Sequence, residues 1–370
     1  MRARRSKARG DSLHTRELIG EGSDHCVVFV SSSRSLWGAE RSLMGLAREF
    51  LDLGQRVALI APEGGLAEEW RSEKLGEIRP VPSEGILVRR WLRFSKALEY
   101  FASTDMAVLF DIQLAPVVAL TRFRSLFKQR PRIFLDVHDS ARRNPRRRVM
   151  LRLARWASGS VCVSDYIRQQ LPAGSRSIVI SRGMHESSQT VKHVAGTLAL
   201  IGQIEPAKNV EFGIQAAARS QRVQRVVIRG DGSDPAYVAR CRQLAESMLG
   251  DRLTWDGRVE PSAVFDDISA LLFMNDDEPS GRVVAEAQIN GVIPIVPRAG
   301  GAIEFVRHGQ TGWVYEPGDV ASASAAIDDL MTSSELERIR DTAGRHARTS
   351  YNPVMRATDY LNFLKGSLAG

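Results

Sequence analysis

Twice along this chain, short runs of β-branched and aliphatic residues alternate with longer amphipathic stretches, and this alternation constrains the fold more than any other feature. The first series is CVVFV at 26–30, RVALI at 56–60, MAVLF at 106–110, RIFLDV at 132–137 and SVCV at 160–163. A polar break, SSQTVKHVAG at 187–196, precedes a second series of TLALIG, RVVIRG, RLTWDG, LLFM, VIPIV and GWVYE. Strands separated by helical patterns predict a parallel sheet covered on both faces. The class is therefore α/β, with two Rossmann-like domains joined near residue 190, and 370 residues suffice for two cores. The expected boundaries are 25–190 for the first domain and 191–350 for the second. Residues 351–370 read as a carboxyl-terminal helix with Val354, Tyr360, Leu361 and Leu364 among its apolar positions, which could pack on the first domain. Ligands of open parallel sheets collect at the carboxyl ends of the strands, so two such domains facing across a cleft would share one site.

Residues 1–24 are basic and poor in residues to bury, and read as a mobile tail without the apolar core of a secretory signal. No uninterrupted apolar run approaches a bilayer span, so an integral membrane protein is not expected. Three scattered cysteines, Cys26, Cys162 and Cys241, form neither a Cys-x-x-Cys pair nor a zinc-ligand cluster, which fits a reducing, cytoplasmic compartment. Residues 1–195 carry 33 Lys and Arg against 20 Asp and Glu, a net +13, whereas residues 196–370 carry 18 against 23, a net −5. The basic half points to an anionic partner, whether a membrane surface, a pyrophosphate-linked lipid or nucleic acid.

The segment richest in chemistry is NDDEPSGRVVAEAQINGVIPIVPRAGG, Asn275 to Gly301. A strand runs into an acidic loop, a Pro-Ser-Gly turn, a helix and a second strand. A helix beginning near Gly281 would direct its free N–H groups and positive dipole end at a phosphate, and Gly281 would permit close approach. Glu278 precedes that helix and Glu286 lies in its second turn, so two carboxylates can bind different hydroxyl pairs of one ligand, such as a ribose and a sugar. The plain alternative is an acidic loop capping a surface helix. No Asp-x-Asp occurs in the chain, which argues against a metal-diphosphate clamp and predicts activity without a divalent metal.

The run Glu278-Pro-Ser-Gly281-Arg-Val-Val-Ala-Glu286-Ala, with Gly291, Pro294, Gly300-Gly301 and Glu304, resembles the donor-site signature of glycosyltransferase family 4, a retaining family of GT-B fold. The resemblance continues through Ile201-Gly-Gln-Ile-Glu-Pro-Ala-Lys208, Ile228-Arg-Gly230-Asp-Gly232, Trp255-Asp-Gly257 and His308-Gly309-Gln-Thr-Gly312. In the first half it takes in Gly38-Ala-Glu-Arg41, Val137-His138-Asp139 and Val163-Ser164, so it covers nearly everything from residue 26 to about 365. It implies a transferase that moves a sugar from a nucleotide diphosphate sugar, UDP- or GDP-linked, to a hydroxyl acceptor on a glycan, a lipid-linked intermediate or a natural product. On this resemblance Glu286 holds the ribose, Glu278 contacts the transferred sugar and Lys208 meets the diphosphate. The amides of Gly281, Arg282 and Val283 complete the cradle, Arg258–Val259 borders the base, and Gly38 lets the first loop approach the phosphates. His138 lies near the reacting sugar, so His138, Lys208 and Glu278 are the catalytic candidates. A histidine ending a strand also often only hydrogen-bonds a loop, and Asp136 and Asp139 beside it have poor facing geometry for a metal.

Two positions depart from the family pattern. The arginine usually found five residues before the diphosphate lysine is Gln203, a donor without charge, and a charge-assisted hydrogen bond is about twice as strong. Arg282 and Arg41 are candidates for compensation. The usual Asn-Gly-Val-Asp turn is Arg182-Gly183-Met184-His185. Catalysis would consist largely of stabilising the negative charge that develops on the departing diphosphate. Retention could proceed through a covalent carboxylate intermediate or by same-face attack, and the resemblance favours the second.

Two basic stretches in the first half are amphipathic. VRRWLRFSKALEYF at 88–101 sets Arg89, Arg93 and Lys96 against Trp91, Phe94, Leu98 and Phe101; RRRVMLRLARW at 146–156 sets Arg148, Arg152 and Arg155 against Val149, Met150, Leu153 and Trp156. Such helices can lie peripherally on an anionic membrane, or pack their apolar faces on the sheet and leave the arginines in water. Rival readings are a non-catalytic GT-B-like binding protein, hinted at by Gln203, and a basic nucleic-acid-binding protein, supported only by charge and the Arg142–Arg148 cluster. No nucleic-acid partner is expected. Polysaccharide synthesis is one process that such a transferase would serve.

Overall fold

The structure is a computed structural model that describes residues 25–36, 38–125, 130–185 and 191–366. The basic tail at 1–24 and residues 187–190 of the polar break at 187–196 lie outside the described residues. The chain divides into two compact units, residues 1–183 with 353–370, and residues 184–352.

Unit 1 holds a seven-stranded sheet built from β1 (Cys26–Val30), β2 (Arg56–Ala61), β3 (Glu77–Pro80), β4 (Met106–Leu109), β5 (Arg132–Val137), β6 (Gly159–Cys162) and β7 (Ser177–Val179). The order is β3-β2-β1-β4-β5-β6-β7 and every pairing is parallel. β1 and β4 are buried along their whole length, as the continuous apolar runs predict for strands covered on both faces. β3 (EIRP) and β7 (SIV) have no strong apolar pattern and were not legible; both are edge strands only partly buried. The helix Pro353–Lys365 closes one face, burying Ala357, Tyr360, Leu361 and Leu364 in a cluster with Val27, Phe29, Phe50 and Phe134. Val354, read as one of its apolar positions, is exposed.

The two basic stretches pack less simply than their periodicity predicts. The first is a helix over Leu87–Ala97 that buries Phe94 and continues as a 3-10 turn, Leu98–Tyr100, that buries Leu98. The second is a helix only over Pro145–Leu151, followed by a 3-10 turn over Arg152–Trp156. Tightening to three residues per turn shifts the phase, so Leu151 and Ala154 become the buried positions while Val149 and Trp156 are exposed.

Unit 2 holds a six-stranded parallel sheet: β8 (Thr197–Ile201), β9 (Arg225–Arg229), β10 (Leu253–Gly257), β11 (Ala270–Leu272), β12 (Ile293–Pro297) and β13 (Trp313–Tyr315), in the order β10-β9-β8-β11-β12-β13. In each sheet the strand order reverses once, beside β1 in unit 1 and beside β8 in unit 2. The loops that follow β1 and β4, and β8 and β11, therefore diverge and leave a crevice at the carboxyl ends. The change of unit falls at Gly183–Met184, earlier than the polar break suggests, because Arg182 is held in unit 1 while the Met184 amide donates to the Tyr351 carbonyl in unit 2. Among the described residues no helix is long and apolar enough to cross a membrane, and the three cysteines are buried and free.

Candidate functional site

The switch point of unit 2 gathers most of the residues singled out in the sequence. Beyond β8 the chain passes Gly202 and Gln203, makes a 3-10 turn over Pro206–Lys208, and reverses at Asn209, whose φ of 57° is tolerated by a short polar side chain. That turn brings Lys208 over the end of β11. There its Nζ donates to Glu278 Oε2 at 2.7 Å, and Asn275 Nδ2 donates to the same oxygen at 2.8 Å. Asn275 also accepts from the Asp277 amide, which folds the loop back on itself. Both side-chain bonds fall on Oε2, so Oε1 has no protein partner among the described residues. An ammonium has three N–H groups, so Lys208 keeps donors for a second ligand. Asn275 was not singled out by sequence reasoning, although its place as the first polar residue after a strand at the switch point could have marked it.

The helix Arg282–Ile289 begins at Gly281, which is left-handed with φ 78°. A β-carbon there would lie 2.8 Å from the Ala302 β-carbon, so both conformation and space require glycine. The amides of Arg282 and Val283 lie in the first turn, where no intrahelical acceptor exists for them. Beside them, Ser280 is nine-tenths buried and its hydroxyl finds no hydrogen-bond partner among the described residues. A buried polar group without a partner in a native fold calls for one. Glu286 Oε1 accepts from Arg282 Nη2 at 3.2 Å across one helical turn. Arg282 is engaged by Glu286, and Gln203 is exposed and lines one small pocket with Lys208. The Gly301 amide donates to the Glu278 carbonyl at 2.8 Å, tying the acidic loop to the turn after β12.

Not all of the named positions converge. Val259 follows β10, an edge strand two places from β8, and is only partly buried. Gly38 opens the helix Gly38–Asp52 of unit 1, where a β-carbon would meet nothing within 4 Å, so no close approach explains a glycine there.

His138 ends β5 in unit 1 and sits in a network that the sequence did not reveal. Its Nδ1 lies 3.1 Å from Asp136 Oδ1. Asp136 is buried, takes a two-pronged pair from the Arg182 guanidinium, and accepts the Tyr360 hydroxyl at Oδ2 at 2.8 Å. Burial alone would raise the Asp136 pKa, but the Arg182 charge and the hydrogen bonds from His138 and Arg182 outweigh it and hold the carboxyl well below its ordinary range. Burial pulls His138 down, and its hydrogen bond to the Asp136 carboxylate more than offsets this, leaving the imidazole above its ordinary value. Asp136 is thereby committed to an ion pair, and the departure at Arg182 from the family turn supplies its partner. Among the described residues no group of three or more His, Cys, Asp or Glu is placed to hold a metal ion.

Solved structures share this architecture. Anabaena HepE in complex with UDP-glucose matches 92% of this chain and 99% of its own with a TM-score of 0.76 at 18% identity. The lipopolysaccharide outer core galactosyltransferase WaaB matches 92% and 99% with a TM-score of 0.78 at 17% identity. Two parallel α/β units with these neighbours define the GT-B glycosyltransferase fold. The model for glycosyltransferase family 4 matches residues 37–187 and that for glycosyl transferases group 1 matches residues 188–347. The chain belongs to glycosyltransferase family 4. Among curated relatives, N-acetyl-alpha-D-glucosaminyl L-malate synthase of Bacillus anthracis is 28% identical over 178 residues, 47% of this chain and 44% of that protein. D-inositol 3-phosphate glycosyltransferase of Mycobacterium ulcerans is 30% identical over 142 residues, 37% of this chain and 31% of that protein. The matches thus span less than half of these relatives' length.

Proposed function

We propose that this protein transfers a sugar from a nucleotide diphosphate sugar to a hydroxyl acceptor, with retention of anomeric configuration and without a divalent metal. The observation that carries this reading is the Lys208–Glu278 pair across the β8/β11 switch point, beside the amino end of the helix that bears Glu286. A diphosphate fits the remaining Lys208 donors, the amino end of the helix Arg282–Ile289 and the orphaned Ser280 hydroxyl. The open oxygen of Glu278 suits a sugar hydroxyl and that of Glu286 a ribose hydroxyl. Lys208 and the helix dipole supply positive charge where negative charge develops on the leaving diphosphate, which is the work a bound metal would otherwise do. UDP is the first nucleotide to test, since HepE structures hold UDP, UDP with glucose, and UDP-glucose. His138 is assigned to the reacting sugar.

The acceptor is assigned to a lipid-linked or membrane-adjacent hydroxyl. The start of the helix Leu87–Ala97 exposes Ile86, Leu87, Val88 and Leu92 among Arg89 and Arg90, which suits peripheral contact with an anionic leaflet. Replacing Ile86 and Val88 with serine should then weaken cosedimentation with anionic vesicles and leave nucleotide binding intact.

The decisive experiment is calorimetry with UDP, GDP, dTDP and ADP and their sugars, in EDTA, on wild type and on Lys208→Ala and Glu286→Ala. A ligand at 100 times its dissociation constant stabilises by about 2.7 kcal/mol. Metal-free binding of one nucleotide family that both substitutions abolish is the expected result. No binding of any nucleotide to the folded wild type would remove the donor-site reading.

A further inference from the structure

His138 is surrounded by groups from four separate pieces of unit 1. Asp136 precedes it on β5, Phe110 follows β4, Arg182 follows β7, and Tyr360 comes from the helix Pro353–Lys365. A carboxylate can only accept, so the 3.1 Å contact between His138 Nδ1 and Asp136 Oδ1 requires the proton on Nδ1. Asp136 cannot turn away to release it. Its other lone pairs are occupied by the Arg182 guanidinium and the Tyr360 hydroxyl, and its side chain is fully buried. Burial and the neighbouring carboxylate raise the Tyr360 pKa far above the ordinary phenol value, so Tyr360 remains a donor. The ring plane is fixed as well: Phe110 lies 4.8 Å from the imidazole centroid, and the Arg182 guanidinium carbon sits 4.9 Å from the centroid of Phe110. The remaining charged groups near the imidazole are Asp139, paired with Arg147 at 3.3 Å, and Arg182 itself. Cys162 on β6 is buried near Asp136, its thiol pushed up to about 12 chiefly by burial, and so stays neutral.

We propose that Asp136, Arg182 and Tyr360 are positioning residues for His138, holding it in the Nδ1-protonated tautomer with Nε2 left for a hydroxyl of the reacting sugar. The proposal rests on the reading of His138 as the residue at that sugar. Neutral imidazole then accepts a hydrogen bond at Nε2 from the hydroxyl, and protonation of Nε2 converts it to a donor and removes that acceptor. The carboxyl-terminal helix thereby contributes to the reaction without touching substrate: Tyr360 draws on the same carboxylate that holds His138 and so sets how strongly Asp136 pulls on the Nδ1 proton.

The two substitutions predict opposite shifts. Tyr360→Phe removes one donor from Asp136, leaves more negative charge facing the imidazole, and should move the His138 titration upward by about 0.5, the size of one hydrogen bond shared across the carboxylate. Asp136→Asn removes that charge and should move it downward by about 1 or more. Nitrogen-15 spectra of histidine-labelled full-length protein, with the His138 signals assigned by their loss in His138→Gln, report tautomer and titration without any donor present. The expected wild-type result is an Nδ1-protonated neutral ring. A neutral ring protonated at Nε2, or a folded Tyr360→Phe protein whose His138 titration is unmoved, would overturn the proposal. Asp136→Asn leaves Arg182 buried and unpaired, so Tyr360→Phe carries the test if that variant does not fold. Once a donor is identified, Tyr360→Phe should shift the acid limb of kcat in step with His138 and leave donor KM unchanged. Failure of nucleotide binding would remove the donor-site reading and leave the spectroscopic result standing.

Discussion

A single oxygen of Glu278 holds both Lys208 and Asn275, so the charge of the proposed donor site is arranged before any ligand arrives. The pair is only partly buried, with side-chain exposures of 32% and 20%, so its net contribution to stability is small. Glu278→Gln should therefore change the melting temperature little yet weaken sugar discrimination, because the amide still contacts Lys208 but accepts less strongly. Calorimetry with UDP against a UDP-sugar separates the two effects, and an equal loss for both ligands would contradict the role given to Glu278. Gly281 is the opposite case. Alanine there meets a positive φ and a contact of 2.8 Å, and strain of this kind costs on the order of 1–3 kcal/mol. Thermal melts of Gly281→Ala should show that loss together with weaker diphosphate binding.

The buried pair in unit 1 has a pH signature whose sign follows from its direction. Asp136 is held below its ordinary value, so its stabilisation is fully present above the unfolded carboxyl pKa of about 3.9 and is lost only as pH falls through the lower folded value. His138 is raised, so its contribution is present below about pH 6.5 and is lost as pH rises through the folded value. The stability gap between wild type and Asp136→Asn, followed by denaturant melts, should stay open down to about pH 4 and narrow only in stronger acid. A gap that widens as pH falls below about 4 would contradict the ion pair.

At the scale of elements, the pattern was legible wherever a strand is buried on both faces and at the partly buried edge strand β10, and failed at the two edge strands of unit 1. CVVFV and RIFLDV stand out because β1 is wholly apolar and buried and β5 departs from this only at Arg132 and Asp136, whereas EIRP and SIV lie at sheet edges and keep a mixed composition. The Asn275–Gly301 segment could be read because strand, turn and helix are contiguous, so the carboxylates and the glycine appear in the order in which the fold uses them. The network around His138 could not, since its members come from positions 110, 136, 182 and 360, and no local spacing joins them. The helix Pro353–Lys365 showed its period, and its expected return to the first domain is what the structure has. Its docking is tight: a β-carbon on Gly159 would come within 2.7 Å of the Phe363 ring, and Tyr360 meets Phe50 edge-on at 5.7 Å. Leu361→Ala opens a hole in this packing and should cost unit 1 about 2–5 kcal/mol, read from its denaturant transition. A loss well below that range would mean that the helix is not part of the unit 1 core.

On the scale of the whole molecule, each unit has a complete parallel sheet and its own buried clusters, but only unit 2 is continuous in sequence. The two kinds of charge are also divided, with the basic surplus in the half that includes Leu87–Ala97 and the acidic surplus in the half that holds Lys208, Glu278 and Glu286. Raising salt should accordingly weaken vesicle binding steeply while changing nucleotide affinity far less, because one interaction is long-range and exposed and the other is short-range and partly enclosed. Cosedimentation and calorimetry over the same salt series would check this, and parallel losses would count against separate surfaces.

The split of unit 1 also governs its birth on the ribosome. Its sheet is translated before unit 2, yet the face that Ala357, Tyr360, Leu361 and Leu364 will cover stays bare until the helix Pro353–Lys365 emerges, after all of unit 2 has been made. Folding from the amino end, the usual order for nascent domains, is thus interrupted here: the later-made unit can finish first, and the earlier one must wait with Phe50 and Phe134 uncovered. For that interval the half-made protein presents an aromatic surface of the kind that holdase chaperones bind, and a premature stop near residue 352 would make that exposure permanent.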